Sequence, residues 1–242
     1  MEGPRPVASF LPVAAGSPRS FGSLVRLSMN RSGGRRAVSA VTVLLLLSGV
    51  SMFAFPAFTD WFQKYKQTQI QDKLSNPHFQ TLWREHHIPV GQGLTRLIIN
   101  NDRVKVNVLV VEGTTLAALQ AGAGHYESTP FPCEQGNVAI AGHRTTYGRP
   151  FNKINYMKPG DTVDLITPFA RCTYRVVAPF AGHLNPWVVQ PRSSYVVSQA
   201  GALGTGHWLT LTSCNPLGSD AQRIVLRLTL DKVTPIKKAS SS

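Results

Sequence analysis

The chain predicts an all-β domain, a barrel or a sandwich with short helices, carried behind one N-terminal transmembrane helix. Two observations predict it. From about residue 90 the apolar residues fall in short runs rich in Val, Ile, Leu and Thr, closely spaced and separated by Gly, Pro, Asn and Asp turn signals. Before them, Ala37 to Phe58 is a charge-free stretch of 22 residues dominated by Ala, Val, Leu and Phe. About 20 apolar residues cross a bilayer as a helix.

Residues 1–36 are rich in Pro, Gly, Ser and Arg and lack a periodic apolar pattern, so they read as a disordered basic tail. Arg5, Arg19, Arg26, Arg31, Arg35 and Arg36 stand there against the single acid Glu2. Positive flanks stay cytoplasmic, which places the N-terminus inside the cell membrane and the residues after the span outside. Residues 37–58 form the span. Pro56 lies at its far end, and Trp61 and Tyr65 follow where an interfacial aromatic belt belongs. A cleaved signal peptide has an apolar core of about 7–15 residues. This one is longer and starts after a 36-residue leader, so a retained single-pass anchor is the reading taken.

Residues 59–89 read as a juxtamembrane helix or linker, a stalk with Phe62, Tyr65 and Ile70 loosely spaced, interrupted at Asn76-Pro77. The β domain occupies residues 90–232. Its expected strands are Leu94–Asn100, Val104–Val111, Val138–Ala141, Thr162–Ile166, Thr173–Val177, Trp208–Ser213 and Ile224–Leu230. Thr115–Ala121 predicts a short helix, and Phe151–Met157 a helical turn closed by Pro159-Gly160-Asp161. Residues 233–242 are a polar tail.

The net charge of +13 suits a domain lying against anionic lipids or wall polymers, or simply a solvated basic surface. A nucleic-acid partner is set aside, because no nucleic-acid-binding signature is present and the topology puts the domain outside the cell. Cys133, Cys172 and Cys214 are an odd set. Outside the cell paired cysteines oxidise, which leaves one reactive thiol over. Whether Cys133 and Cys172 pair stays open, since sequence gives no separation between them. No metal or cofactor is expected: there is no CxxC or HExxH spacing, and His86-His87 lie in a polar helical stretch.

Reactive side chains stand at the ends of apolar runs. Thr210-Leu-Thr-Ser-Cys214 is a strand by composition, and Asn215-Pro216 ends it, because proline removes a ladder donor. The thiol of Cys214 is thereby set at a strand terminus. His143 follows Val138-Ala-Ile-Ala-Gly142, and Gly142 permits close backbone approach. Thr146 and Tyr147 come next in a polar loop. Arg223 lies in the alternating run after the cysteine, on one face with Val225 and Arg227. Cysteine as nucleophile, histidine as proton partner and a permanently charged arginine facing a developing oxyanion point to acyl transfer through a thioester. His125 is a lesser candidate.

The segments Thr210-Leu-Thr-Ser-Cys214, Asn137 to Gly148 and Arg223 resemble the sortases, membrane-anchored cysteine transpeptidases, over roughly residues 90–231. The family pattern is TLxTC, and here Ser213 replaces its last Thr. The resemblance implies an eight-stranded β-barrel with catalytic Cys214, His143 and Arg223; Tyr147, four residues after His143, Thr146 beside it in the polar loop, and Thr212 and Ser213 next to Cys214 are expected toward the substrate. Val138 to Gly148 and Thr-Ser-Cys-Asn-Pro look most like class E. That class implies cleavage of an LAxTG- or LPxTG-type C-terminal sorting signal on secreted proteins and joining to a peptidoglycan precursor amine. A pilin-polymerising enzyme usually has an N-terminal lid with an Asp-Pro-aromatic motif, absent from residues 60–95. Asn185-Pro186-Trp187 has a similar form but lies in the segment 182–195, expected to wall the peptide groove. The competing readings are a cysteine peptidase acting on the cell wall and an inactive wall-binding protein.

Overall fold

The computed structural model describes residues 32–74, 76–179, 182–198 and 205–236. Most of the expected N-terminal tail and the last six residues lie outside them. The chain divides into two units, 1–53 and 54–242. Helix α1 (Ser32–Leu74) carries the apolar stretch, and its window of mean hydropathy 2.2 makes it long and apolar enough to cross a membrane.

Within the second unit, α1 beyond residue 54 does not form the free stalk expected from sequence. Thr59 and Gln63 are buried, Gln67 Oε1 accepts the Leu109 N–H at 3.2 Å, and Arg96 donates to Gln71. Ile70 packs against Val111, Ala118 and Ala121. One face of the helix is thus committed to the domain, while Phe58, Trp61 and Tyr65 remain exposed. Helix α2 (Pro77–Arg84) begins where Asn76-Pro77 breaks the chain: Asn76 Oδ1 accepts the His78 N–H at 2.9 Å, and Pro77 fills a first-turn position that needs no donor. It buries Phe79 and Trp83 beside Phe131.

Among the described residues nine strands follow: β1 (Gly93–Asn100), β2 (Lys105–Glu112), β3 (Ala123–His125), β4 (Gly136–Ala141), β5 (Thr162–Ile166), β6 (Ala170–Val176), β7 (Trp187–Val189), β8 (His207–Asn215) and β9 (Gln222–Pro235). Helix α3 (Leu116–Ala121) joins β2 to β3, capped by Thr115. The order is β6-β5-β1-β2-β3-β4-β8-β9, and β6 pairs again with β9, so eight strands close into a barrel. β9 makes closure possible through its length. Its first residues pair with β7, its later ones with β6, and its other edge with β8. Alternation sends Leu97, Val110, Val138, Ile140, Leu209, Leu211, Leu226 and Leu228 inward to one core.

Several local readings shift. β3 and β7, three residues each, were too short to mark in sequence. β6 starts at Ala170, and β9 runs to Pro235, three residues into the expected polar tail. The turn at 151–157 is a 3-10 turn at Ile154–Tyr156. The open cysteine question closes: Cys133 and Cys172 are bonded, with Cα atoms 5.7 Å apart, and Cys214 is free.

Candidate active site

Strands β4, β8 and β9 are neighbours, and their register sets the site. β4 and β8 run parallel with Ala141 opposite Thr212, and the Gly142 N–H continues the ladder to Thr212 O at 3.0 Å. His143 follows two residues beyond Ala141, and Cys214 two residues beyond Thr212. On the other side Cys214 pairs with Arg223. One end of the sheet therefore holds Arg223 on β9, Cys214 opposite it on β8 and, in a row with them, His143 two residues past the end of β4. Residues directly opposite in an antiparallel pair project to the same face. Gly142 makes the row possible, since a Cβ there would lie 2.5 Å from the buried Phe151 ring.

Alternation sorts the residues around the thiol. Leu209 and Leu211 face the core, so Ser213 points inward as well. It is buried, and its hydroxyl donates to Gly142 O at 2.7 Å. This corrects the expectation that Ser213 faces substrate; it ties β8 to the backbone that delivers His143. Thr212 shares the outer face with Cys214. Its hydroxyl meets Tyr126 Oη at 3.2 Å, and it lines a cavity of about 190 Å³ with Tyr126, Val189, Val196, Val197 and Arg223. The far wall of this groove is held by buried polar groups: Arg227 Nη2 donates to Val196 O at 3.0 Å, and Asn137 Nδ2 to the same oxygen at 3.2 Å. Burial pushes the Arg227 guanidinium down to about 10.

Thr146 and Tyr147 do not line that groove. Tyr147 Oη accepts from Gln120 Nε2 at 3.1 Å, and its ring lies 5.2 Å from the His143 imidazole. The phenol oxygen is tied to α3 by this bond. Thr146 offers its carbonyl to the Arg149 N–H. His125 is fully buried between Glu112 (2.9 Å) and the Pro130 carbonyl (2.9 Å), a structural bridge with no access to substrate. Among the described residues no cluster of His, Cys, Asp and Glu could hold a metal.

Burial lowers the pKa of His143, and its Nε2 is buried without a hydrogen-bond partner. A neutral imidazole with a free nitrogen is a proton acceptor in waiting. The lowered pKa also predicts a stability trend. The unfolded chain takes up the proton first as pH falls through the ordinary histidine value of 6.5, so His143 penalises the fold on the acid side. Replacing it with Gln removes that penalty. The unfolding free energy of His143→Gln minus that of the unmodified chain is expected to be more positive at pH 5 than at pH 8 by urea titration. Equal differences at both pH values would contradict it.

Arg144 was not singled out in sequence, where nothing separates it from a surface arginine. It is buried and donates to Cys214 O (3.1 Å), Asn215 Oδ1 (2.6 Å) and Asn155 Oδ1 (3.0 Å), and so fixes the chain on both sides of the nucleophile. Burial lowers its pKa, and the nearby Cys214 opposes that shift. Arg223 Nη1 donates to the carbonyls of Asp220 (2.7 Å) and Gln222 (2.9 Å), which holds its guanidinium at the turn beside the thiol.

The sequence of residues 99–231 matches the family model described as the sortase domain. The chain belongs to the sortase family. Its curated relatives include Sortase SrtE1 of Streptomyces coelicolor, 29% identical over 78% of this chain, and Sortase SrtE2 of the same organism, 24% identical over 81% of this chain and 84% of that protein. The match spans 56% of SrtE1, little more than half its length. Solved structures agree. Sortase E of Streptomyces avermitilis superposes with a TM-score of 0.53 at 29% identity, covering 64% of this sortase and 97% of that chain. Sortase E1 of S. coelicolor, solved with a tripeptide in its active site, gives 0.52 at 30% identity, covering 63% and 96%.

Proposed function

We propose that this sortase is a class E-type cysteine transpeptidase, anchored by α1 with its N-terminus cytoplasmic and its barrel outside. It cleaves a C-terminal sorting signal of the LAxTG or LPxTG type between Thr and Gly and joins the Thr carbonyl to a cell-wall precursor amine. The observation that carries this reading is Cys214 on β8 opposite Arg223 on β9, with His143 just past the end of the neighbouring β4, beside a groove walled by β7 and the residues after it. The extracellular disulfide-permitting setting accords with the Cys133–Cys172 bond.

The steps follow from the residue types. His143 takes the proton of the Cys214 thiol as the sulfur attacks the Thr carbonyl, and Arg223 donates to the oxygen as it becomes an oxyanion. His143 gives a proton to the departing glycine amine, leaving Thr as a thioester on Cys214. His143 then takes a proton from the incoming amine, which attacks the thioester and forms the new amide, and returns that proton to the departing Cys214 sulfur. Ser213 and Arg144 keep the nucleophile and the base in register.

The test is incubation of the full chain in detergent with an LAxTG-type peptide and a glycine-based amine, followed by mass spectrometry. Cys214-dependent cleavage between Thr and Gly with the amine joined to Thr is expected. Release of the free acid alone, even with amine in excess, would replace transpeptidase with peptidase.

A further inference from the structure

The turn of α1 that follows the apolar segment is built onto the loop that carries the proposed acid/base. Asp60 Oδ1 accepts the Gly148 N–H at 2.9 Å, and Asp60 Oδ2 accepts from Arg149 Nη2 at 2.7 Å. The Phe62 ring meets the Tyr147 ring edge-on, centroids 6.5 Å apart at 67°, and Tyr147 in turn lies against His143. Gln63, buried, fills the space where Gly148 has no side chain; a Cβ there would collide with it.

The loop needs outside support. Tyr147, Gly148 and Arg149 all have left-handed backbones, with φ of 49°, 69° and 49°. Two of the three are not glycine, and L residues avoid that region because Cβ crowds the following carbonyl. Such a conformation persists only where its surroundings over-determine it. The contacts that do so come from α1, with one further hydrogen bond from Gln120 of α3 to Tyr147. An exposed ion pair like Asp60–Arg149 adds little to global stability, so its use here is geometric.

We infer that the 59–63 turn of α1 is a positioning element for His143, with Asp60 and Phe62 as positioning residues acting through Gly148, Arg149 and Tyr147. The inference rests on the role proposed above for His143. The segment leaving the anchor is then part of the active-site scaffold. The Phe62–Tyr147 stack covers one side of the imidazole, in keeping with its burial and lowered pKa. The charged and titratable groups on the elements around it are Arg144, Tyr147 and Arg149 on its own loop, Asp60 on α1, Cys214 on β8 and Arg223 on β9.

The test uses the full chain in detergent micelles. Phe62→Ala and Asp60→Ala are expected to lower kcat about 10-fold with KM for the sorting peptide moving less than about twofold, because small displacements of a catalytic group cost rate rather than binding. Asp60→Asn, which keeps an acceptor for Gly148 but not the ion pair, falls between. Phe62→Tyr, which keeps the ring contact, retains activity, as does Lys64→Ala on the exposed side of the same turn. The second readout needs no turnover. On a Cys214→Ala background, NMR titration of the His143 imidazole is expected to move up toward the ordinary histidine value in Phe62→Ala. An unchanged titration together with an unchanged kcat overturns the inference, and so does an equal loss in Lys64→Ala. If the unmodified chain gives no Cys214-dependent product, the functional reading falls, and the titration alone decides the positioning role.

Discussion

Cys214→Ala is expected to lower kcat/KM for transpeptidation by about 10⁴-fold or more, His143→Ala by a similar factor, and the double variant by no more than the worse single one. The non-additivity is the informative part. Thiolate attack and proton transfer belong to one step, so removing either partner disables the other. The fold supports that coupling, since His143 follows two residues after Ala141, which pairs with Thr212, and Cys214 follows two residues after Thr212. Arg223→Ala is expected to leave thioester formation detectable but slow, with a loss of about 10²–10³-fold, the usual cost of one oxyanion donor. Single-turnover measurement of the thioacyl enzyme by mass spectrometry separates the two kinds of loss. Independent, additive losses for Cys214 and His143 would mean that they do not act together.

The residues of that row were legible in sequence because each is announced locally. A strand ends at Asn215-Pro216, another at Gly142, and the run after the cysteine alternates. The substrate face was read less well. Thr212 and Ser213 were both assigned to it from proximity to Cys214, yet adjacent strand residues project to opposite faces. Thr212 reaches the groove and Ser213 the interior. Tyr147 was placed near substrate by its distance from His143 in sequence, whereas its surroundings come from Phe62 and Gln120, far away along the chain. Tyr126 and Arg144 left no signal, because their roles depend on which strands become neighbours. Barrel closure has the same character. β6 and β9 pair across more than 50 residues, and β9 looks like an ordinary strand until three partners share it. The docked part of α1 was hidden for another reason: Thr59, Asp60 and Gln63 are polar, so the buried face of this helix carries no apolar stripe to read.

The Cys133–Cys172 bond is expected to be the largest single covalent contribution to stability. The cysteines are 39 residues apart, and closing a loop of that length in the unfolded chain corresponds to about 4 kcal/mol in the chain-entropy picture. Cys172 lies fully buried on β6, paired with Val233 of β9 at the seam that closes the barrel. Cys133 lies in the segment leading into β4, and its N–H donates to Tyr174 Oη at 2.9 Å. Burial pushes that phenol up to about 12, so Tyr174 stays neutral and the contact persists through the physiological range. The bond therefore ties the closing seam to the segment that enters β4, the strand that leads to His143. In Cys133→Ala/Cys172→Ala, on a Cys214→Ala background to exclude thiol exchange, unfolding free energy is expected to fall by roughly 2–5 kcal/mol and Tm by roughly 10 °C. Reducing the bond in the Cys214→Ala chain should reproduce the loss, since both remove the same loop closure. Reduction without loss of stability would assign the bond no role in holding the seam. In the catalytic background, kcat per folded molecule should stay near that of the unmodified chain, because the register that sets His143 beside Cys214 is held by the β4–β8 ladder and the Ser213–Gly142 hydrogen bond, neither of which includes the disulfide.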